Sequence, residues 1–325
     1  MAEVDILLAS YNGEKYISEQ LDSLLAQTFK DIRIIIRDDG STDRTPEIIE
    51  EYAGKYPGII EVVHDDVVCK NAGKNFFQLM KYAKAEYIML SDQDDYWLPY
   101  KVQITLDYMK NTERENPGKP VLVFCGVNVV DENLKETGIL CHIPLDKINY
   151  STKGLLWGCC TMGCTQMLNR AAYKDFGDFS EQMDMHDYWT GLYVSICGVM
   201  RYIPMPLMLY RQHSNNVFGY KQQSFAKHIW LIVSSPFKKL RLSREKFYFK
   251  RDMAELLLKM YEHKMTPEKK QEINDFLGLF SKNRISRFMS LRKAPPVTER
   301  KFFTFYDWLD SKFSTFLFIM KLLLY

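Results

Sequence analysis

The chain has 325 residues, of which 46% are hydrophobic and 14% aromatic, so it can build a sizeable core as one large domain or two smaller ones. Its formal net charge is only +2, but the charge is unevenly distributed. Residues 1–220 hold 21 Lys and Arg against 31 Asp and Glu, whereas residues 221–325 hold 22 against 10. This asymmetry predicts an acidic domain over 1–220 and a basic region over 221–325 with a different partner.

Several classes of protein are excluded by simple patterns. The seven cysteines form no CxxC pair, and Cys160 and Cys164 lack the partners of a zinc site, which favours reduced thiols in a cytosolic protein. No basic and apolar leader precedes the run that begins at Val4, so we expect no secretory signal. The longest apolar stretch, 313–325, is shorter than the ~20 residues of a spanning helix.

Strand and helix patterns alternate along the first 130 residues. Thr45 is predicted as the N-cap of a helix and Pro46 as its first residue. Alternation of this kind predicts an α/β fold, with a mostly parallel sheet and helices on both faces. The predicted strands are 4–9, 32–37, 59–63, 87–90 and 121–124, and the other predicted helices are 16–27 and 76–83.

The pattern is looser between residues 157 and 216. A helix is predicted over Leu192–Cys197, and two strands over Arg201–Ile203 and Leu207–Tyr210, separated by Pro204 and Pro206. After residue 221 the sequence becomes basic, aromatic and helical.

Polar clusters follow three of the predicted strands, at Ser10–Asn12, Asp38-Asp39 and Asp92–Asp95. Ligands of open α/β sheets bind outside the carboxyl ends of the strands, so the fold should bring these clusters to one edge.

The acidic cluster Asp92–Asp95 holds three carboxylates in four residues, and a divalent cation would relieve their repulsion. The alternative is an acid-rich turn or helix start.

Asp39 can accept the imide N–H of uracil or thymine, or belong to an ordinary turn. Asp187 can act as a general base or as an N-cap. His213 can bind a metal or a phosphate, or be structural.

These residues belong to a set of segments that occur in order along the chain. They are Ala9-Ser10-Tyr11-Asn12-Gly13, Arg37-Asp38-Asp39-Gly40-Ser41-Thr42-Asp43, Asn71-Ala72-Gly73 with Asn75-Phe76, Ser91-Asp92-Gln93-Asp94-Asp95-Tyr96-Trp97, Met185-His186-Asp187-Tyr188-Trp189 and Tyr210-Arg211-Gln212-His213-Ser214-Asn215-Asn216. Together the segments resemble the family 2 glycosyltransferases of the GT-A fold, and most of all a bacterial rhamnosyltransferase-like branch. The resemblance covers about residues 3–220.

The resemblance implies roles for individual residues on the donor side. Asp39 would contact the nucleobase, beside the strand end that carries Ala9 and Tyr11. Asp92 would lie near the ribose and the metal, and Asp94 would be the main ligand of Mn²⁺ or Mg²⁺. His213 would bind the metal or the diphosphate, and Arg211 would contact the diphosphate.

On the acceptor side, the resemblance implies that Asp187 is the catalytic base of an inverting displacement. The donor-side leaving group would be a nucleoside diphosphate, from dTDP-L-rhamnose or else from a UDP sugar. The residues expected to border the acceptor are Gly163, Cys164, His186 and Trp189. Processive members carry Gln-x-x-Arg-Trp where this chain has Arg-Gln-His, which favours addition of one or a few sugars.

The basic region 221–325 is expected to contact a membrane surface, because amphipathic basic helices with Trp and Phe bind anionic lipid interfaces. Examples are Trp230–Val233 beside Lys238–Arg241, and 302–325. The alternative is a dimer interface or a cover for the first domain. A lipid-linked saccharide acceptor would explain why the chain contacts a membrane. Such acceptors are used in bacterial surface polysaccharide synthesis at the cytoplasmic face of the membrane.

Two other classes of protein remain as alternatives. A nucleotidyltransferase also uses an α/β sheet with acid-bound Mg²⁺, but it would show a Gly-rich basic phosphate loop near the N-terminus, which this chain lacks. A nucleic-acid binder could use the basic aromatic region. However, the acidic first two thirds would repel phosphates, so we expect no nucleic-acid partner.

Overall fold

The computed structural model describes residues 2–141, 150–157, 161–174, 176, 185–213 and 236–281. The chain divides into two compact units, one of Met1–Asp146 with Cys160–Val217 and the other of Lys147–Cys159 with Phe218–Tyr325. The predicted domain boundary at residues 220 and 221 lies outside the described residues. Lys147–Cys159, which the sequence prediction placed in the first domain, clusters with the second unit.

One mixed sheet forms the centre of the first unit, with nine strands in the described residues. Its order is β3-β2-β1-β4-β8-β6-β9-β5, and β7 pairs with β6. The strands are β1 Val4–Ser10, β2 Ile32–Asp38, β3 Ile60–Val62, β4 Tyr87–Asp92, β5 Tyr96–Trp97, β6 Val121–Val130, β7 Glu136–Cys141, β8 Gln166–Asn169 and β9 Val199–Arg211.

The helices of this unit follow or connect the strands. They are α1 Ile17–Leu25, α2 Thr45–Lys55, α3 Ala72–Met80, α4 Lys101–Glu115, α6 Arg170–Tyr173 and α7 His186–Cys197, whereas α5 Thr152–Trp157 belongs to the second unit. Strands β1 to β4 pair in parallel, as the alternating pattern predicts. Strand β8 then pairs antiparallel with both β4 and β6, so the second half of the sheet is mixed.

Burial explains why β1 lies in the interior of the sheet, between β2 and β4. All seven residues of β1 are buried, and parallel strands covered on both faces are expected to be continuously apolar. Helix α1 packs on them because Ile17, Leu21 and Leu24 recur at helical spacing and are fully buried. Each buried Leu or Ile contributes about 1.5–3 kcal/mol relative to exposure.

The start of α2 differs from the prediction by one residue. The N-cap position is Arg44, and Thr45 is the first helical residue. The side chain that satisfies the exposed backbone donor is Asp43, which accepts from Thr45 N at 3.0 Å. Thr45 Oγ1 instead accepts from Gly13 N at 2.7 Å, so this hydroxyl ties α2 to the loop after β1.

The prediction of two strands separated by prolines is wrong. Val199–Arg211 is a single strand, and it pairs in parallel with β6. The prolines are accommodated by register shifts on the partner strand around Gly126, which pairs with Pro206. As a result, one strand carries Arg211 to the edge where β1 and β4 end.

The second unit is helical where it is described. Helix α8, Pro236–Tyr261, is followed by a 3₁₀ turn and by α9, Pro267–Ser281. Lys269 Nζ donates to Thr152 Oγ1 at 2.9 Å and so joins α9 to α5. None of the helices in the described ranges combines the length and the apolar character that crossing a membrane requires. The predicted surface segments Trp230–Val233 and 302–325 lie outside the described residues.

Candidate active site

The sheet register brings the three polar strand ends together. Ala9 pairs with both Arg37 and Asp92, and Ser10 pairs with Asp38. Convergence of these motifs at one edge therefore follows from the pairing of β1 with its two neighbours.

Gln93 links the first and third of these strand ends. Its Oε1 accepts from Tyr11 N and its Nε2 donates to Tyr11 O, both at 2.8 Å. A Cβ at Gly13 would lie 2.2 Å from Gln93 Oε1, so only glycine fits beside this amide. The Tyr11 ring itself is 55% exposed at the mouth of the site.

Asp39 is only 4% exposed, and it is held by its surroundings. Its Oδ1 accepts from Cys69 N at 2.6 Å and faces Arg37 NH1 at 3.4 Å. Arg37 is 1% exposed, forms a double hydrogen bond with Asp65 at 2.7 and 3.0 Å, and donates to Asn75 Oδ1 at 2.8 Å. This network fixes the segment after β3 around a buried carboxylate.

Two exposed valines next to Cys69 form an apolar rim on one side of this carboxylate. Val67 and Val68 are 47% and 57% exposed, and a Cβ at Gly40 would contact the Val68 methyl groups at 3.7 and 3.8 Å. With the exposed Tyr11 ring on the adjoining strand end, the arrangement can hold a flat heterocycle whose N–H donates to Asp39.

The acidic turn after β4 concentrates negative charge in a region of low exposure. Burial, followed by the neighbouring Asp94, raises the pKa of Asp92 to about 7, and the same two causes raise the pKa of Asp95 well above its usual range. Asp95 Oδ2 is buried without a hydrogen-bond partner among the described residues. The nearby Lys101 lowers both pKa values, but its effect is smaller than that of burial and Asp94.

The donor atoms around this turn fit a hard divalent cation. Asp94 Oδ2 lies 2.8 Å from His213 Nε2, so the two predicted metal ligands are in contact. The ligand atoms of Asp92, Asp95 and Cys164 lie within 4.8 Å of one another. Burial raises the pKa of the Cys164 thiol well above its usual range, and hard cations prefer oxygen, so the carboxylates and the imidazole are the fitting ligands.

Arg211, which the resemblance places against the diphosphate, has a side chain that is only 2% exposed. Its Nε donates to Asp94 O at 2.9 Å, its NH1 to Glu132 O at 2.7 Å, and its NH2 to the Glu19 carboxylate. In this geometry the guanidinium holds the backbone of the acidic turn. Arg211 could contact a diphosphate directly only by giving up some of these hydrogen bonds.

Asp187 lies in the first turn of α7 and accepts from Tyr188 N at 2.7 Å. Burial raises the pKa of Asp187 to about 6, although backbone N–H groups, among them those of Tyr188 and Gly163, oppose the rise. The charge of Asp187 also raises the pKa of Asp92, as expected for two carboxylates that lie near each other. A carboxylate with a pKa near 6 is ionised at neutral pH and can accept a proton.

The residues predicted on the acceptor side are mostly buried. His186 stacks on Phe76 with ring centroids 4.1 Å apart, and burial lowers its pKa to about 3, so the imidazole is neutral. Trp189 is 0% exposed and belongs to the core behind Asp187. Gly163 and Cys164 form a buried 3₁₀ turn in which the Cys164 carbonyl accepts from Lys101 Nζ at 2.5 Å.

Four site residues were missed by reasoning from the sequence: Glu19, Arg37, Gln93 and Lys101. Arg37 offered a signal, because a charged residue inside an apolar strand requires a buried partner. Gln93 lies inside the acidic motif, and that motif predicts a metal site formed by the acids without indicating a role for the amide between them. Glu19 and Lys101 stand at ordinary helical positions, and only tertiary structure reveals their partners.

Comparison with known proteins identifies a matching family and related sequences. The family described as glycosyl transferase family 2 matches residues 5–176. The chain is 31% identical to the dTDP-rhamnosyl transferase RfbG of Shigella flexneri, over 75% of this chain and 81% of that protein. It is also 31% identical to the UDP-Glc:alpha-D-GlcNAc-diphosphoundecaprenol beta-1,3-glucosyltransferase WfaP of Escherichia coli, over 68% of this chain and 82% of that protein.

Among solved structures, the chain is similar to S. aureus TarS 1-349. The complex with UDP gives a TM-score of 0.57 at 17% identity, covering 87% of this chain and 72% of that one. The complex with UDP-GlcNAc gives 0.58 at 18% identity, covering 87% and 73%. At these identities the likeness concerns the fold, and it confirms the predicted GT-A architecture.

Proposed function

The chain belongs to glycosyl transferase family 2, and we propose that it transfers one hexose, L-rhamnose from dTDP-L-rhamnose, to a saccharide acceptor with inversion. The observation that carries this proposal is the meeting of three parts at one sheet edge. They are the buried Asp39 with its apolar rim, the acidic turn with His213, and the ionisable Asp187.

The donor half of the proposal rests on the pocket around Asp39. Thymine and uracil both present an imide N–H that a carboxylate can accept, so this pocket fits dTDP and UDP sugars alike. RfbG is named a dTDP-rhamnosyl transferase and WfaP a glucosyltransferase that uses UDP-Glc. The match to RfbG spans more of this chain, which favours rhamnose.

Asp92, Asp94, Asp95 and His213 would hold Mn²⁺ or Mg²⁺, which when bound supplies positive charge beside the diphosphate of the leaving group. The protein contributes the position of these ligands at the end of β4. It also excludes water, since Asp95 is fully buried. Electrostatic stabilisation of this kind is strongest where the surroundings are preorganised and dry.

Asp187 is the general base in this proposal. Its carboxylate accepts the proton of the acceptor hydroxyl as the oxygen attacks the anomeric carbon from the face opposite the diphosphate, which inverts the configuration. The N-terminus of α7 and the backbone N–H groups beside it hold the carboxylate in place.

The acceptor is proposed to be a saccharide on a lipid diphosphate, reached at the cytoplasmic face of the membrane. WfaP is named for an acceptor of this class, a sugar on diphosphoundecaprenol. The excess of basic residues in 221–325 supports contact with anionic headgroups.

The experiment is a thermal-shift panel of dTDP, UDP and GDP with and without Mn²⁺. The proposal expects stabilisation by dTDP or UDP that requires metal, since a ligand that binds the folded state raises the Tm. Asp94→Asn should remove the metal-dependent part, whereas Asp107→Asn, an exposed acid on α4, should leave it unchanged. If no nucleotide shifts the Tm with metal present, the proposal is wrong. A dTDP-L-rhamnose and UDP-glucose hydrolysis assay then identifies the sugar.

A further inference from the structure

Arg211 joins four separate parts of the first unit at the acidic turn. It stands at the end of β9 and donates to the Asp94 carbonyl, to the Glu132 carbonyl and to the Glu19 carboxylate on α1. All three kinds of guanidinium nitrogen are therefore used in fixed directions, which only the planar fork of arginine allows.

Tyr16 adds an aromatic contact to the same assembly. Its ring lies 4.6 Å from the Arg211 guanidinium carbon and 4.7 Å from the His213 ring centroid. Two lines of contact thus converge on Asp94. Glu19 and Arg211 lead to its backbone carbonyl, and Tyr16 and His213 lead to its carboxylate.

Glu19 supplies the negative charge that compensates Arg211 in this assembly. Arg211 is 2% exposed, and a buried guanidinium is costly unless a carboxylate compensates it. Glu19 supplies such a carboxylate from 192 residues away in sequence, and half of its own side chain stays in solvent. The docking of α1 fixes Glu19, because Gln20 Nε2 donates to Ser91 Oγ at 2.7 Å on β4.

We propose that Glu19 is a positioning residue for the cation: through Arg211 it fixes the Asp94 turn in the orientation that binds a divalent metal with the nucleotide. This inference rests on the proposed function. It assigns Arg211 to support of the turn instead of contact with the diphosphate. Residues that orient metal ligands typically contribute about 10-fold to 100-fold in metal affinity.

The chain offers a matched control in Glu132. Its carboxylate pairs with Lys15 at 2.7 Å, beside the same turn, and its side chain is 52% exposed against 53% for Glu19. Glu19→Gln and Glu132→Gln each remove one negative charge from a half-exposed carboxylate, and Glu132→Gln keeps the backbone carbonyl that accepts from Arg211 NH1. Only the first removes the carboxylate that holds Arg211.

The experiment titrates the full chain with Mn²⁺ in the presence of whichever of dTDP and UDP stabilises the wild type, with free Mn²⁺ followed by electron paramagnetic resonance. Glu19→Gln should weaken Mn²⁺ binding about 10-fold. Glu132→Gln should change it less than about twofold, as expected for an exposed pair. Far-UV circular dichroism should stay close to wild type for both variants. The metal-free Tm should fall more for Glu19→Gln, which leaves the buried Arg211 without its carboxylate, so the titrations are run well below the Tm of each variant.

A double-mutant cycle with Arg211→Lys separates positioning from a general effect. If Glu19 acts through Arg211, the losses in Mn²⁺ affinity of the two single variants should not add in the double variant. Equal effects of Glu19→Gln and Glu132→Gln, or additive losses, would overturn the inference alone. A wild-type chain that binds neither nucleotide nor Mn²⁺ would instead overturn the proposed function, and this inference with it.

Discussion

The imidazole of His186 occupies the space that a side chain at Gly163 would need: a Cβ there would lie 2.2 Å from His186 Nε2. His186 cannot retreat easily, because it is buried and stacked on Phe76 at 4.1 Å. The absence of a side chain at residue 163 therefore sets how closely the acceptor-side turn approaches the start of α7, where Asp187 lies.

Gly163→Ala should destabilise the fold by about 1–3 kcal/mol, the usual range for an overpacked core. It should also lower transfer activity, because His186 and Asp187 are adjacent in sequence. Urea unfolding measures the first effect. Gly54→Ala is the control, since nothing lies within 4 Å of a Cβ at Gly54, and alanine favours a helix. Equal stability of the two variants would show that His186 moves away without strain.

Asp187→Asn should lower kcat for sugar transfer about 100-fold or more, the range expected for loss of a general base. Metal-dependent stabilisation by nucleotide should persist, because Asp187 is not among the donor-side groups. In the wild type, the rate should rise as pH increases through about 6, the raised pKa of Asp187. Near wild-type turnover of the variant would remove Asp187 from this role.

The raised pKa of Asp187 also predicts how the stability of the fold changes with pH. The pKa of Asp187 is raised in the folded state, from 3.8 to about 6. Between these values the folded state binds more protons than the unfolded state, so this group lowers stability as pH rises from about 4 to about 6. Over this interval, Asp187→Asn should therefore lose less stability, or gain more, than the wild type as pH rises. Differential scanning fluorimetry at several pH values measures it.

The strand ends were predictable because they depend on local patterns. An apolar run such as β1 is a strand in most folds, and parallel neighbours end at a common edge, so the sequence alone predicts that Asp39 and Asp92 lie close together. The extent of β9 was not predictable in the same way. Its prolines imply two strands until the register shift opposite Gly126 is seen.

Buried charges were the least predictable part of the site. Arg37, Lys101 and Arg211 are at most 2% exposed, and of these only Arg37, a charge inside an apolar strand, signals its burial in the sequence. Each is buried because its partners come from distant segments, as when Glu19 meets Arg211. Local propensity does not encode such contacts, so the support that Glu19, Lys101 and Arg211 give to the acidic turn is seen only in the folded structure.

Arg37→Met should destabilise the protein by roughly 3 kcal/mol or more, because it leaves the partners of a buried ion pair without compensation. Arg37 holds the pKa of Asp65 below its usual range, so the contribution of this pair is present at neutral pH and is lost as pH falls into the acid range. The variant should also lose nucleotide binding, because the segment around Asp39 loses its anchor.

Arg44→Met is the control for this change. Arg44 pairs with Glu47 at 3.2 Å, and both side chains are 73% exposed, so its loss should stay within about 0.5 kcal/mol. Urea unfolding at pH 7 and pH 4 gives the stabilities of both variants. If Arg37→Met is no less stable than Arg44→Met at pH 7, the network around Asp39 does not stabilise the fold.

Lys101 is fully buried, and we expect its side chain to stabilise the fold through the contacts of its ammonium group. It is 0% exposed, its Nζ lies 3.4 Å from the Trp97 ring centroid, and it donates to the Cys164 carbonyl at 2.5 Å. Burial lowers the pKa of Lys101 itself, and its protonated ammonium lowers the pKa of Asp92 and Asp95 against the larger effect of burial on those carboxyls. Lys101→Met keeps the length of the side chain but removes the cation and the donor.

Losing a desolvated cation–π contact costs about 2 kcal/mol of stability. Leaving a buried carbonyl without its donor costs about 1–3 kcal/mol more. Lys101→Met should therefore lower the free energy of unfolding by at least about 2 kcal/mol. Lys110→Met on the same helix is the control, since Lys110 is 42% exposed in its pair with Glu3 and should matter little. Chemical unfolding at pH 8 compares the two variants. Equal stabilities would mean that the acidic turn does not depend on the ammonium beneath it, and that its charge is compensated from the solvent side alone.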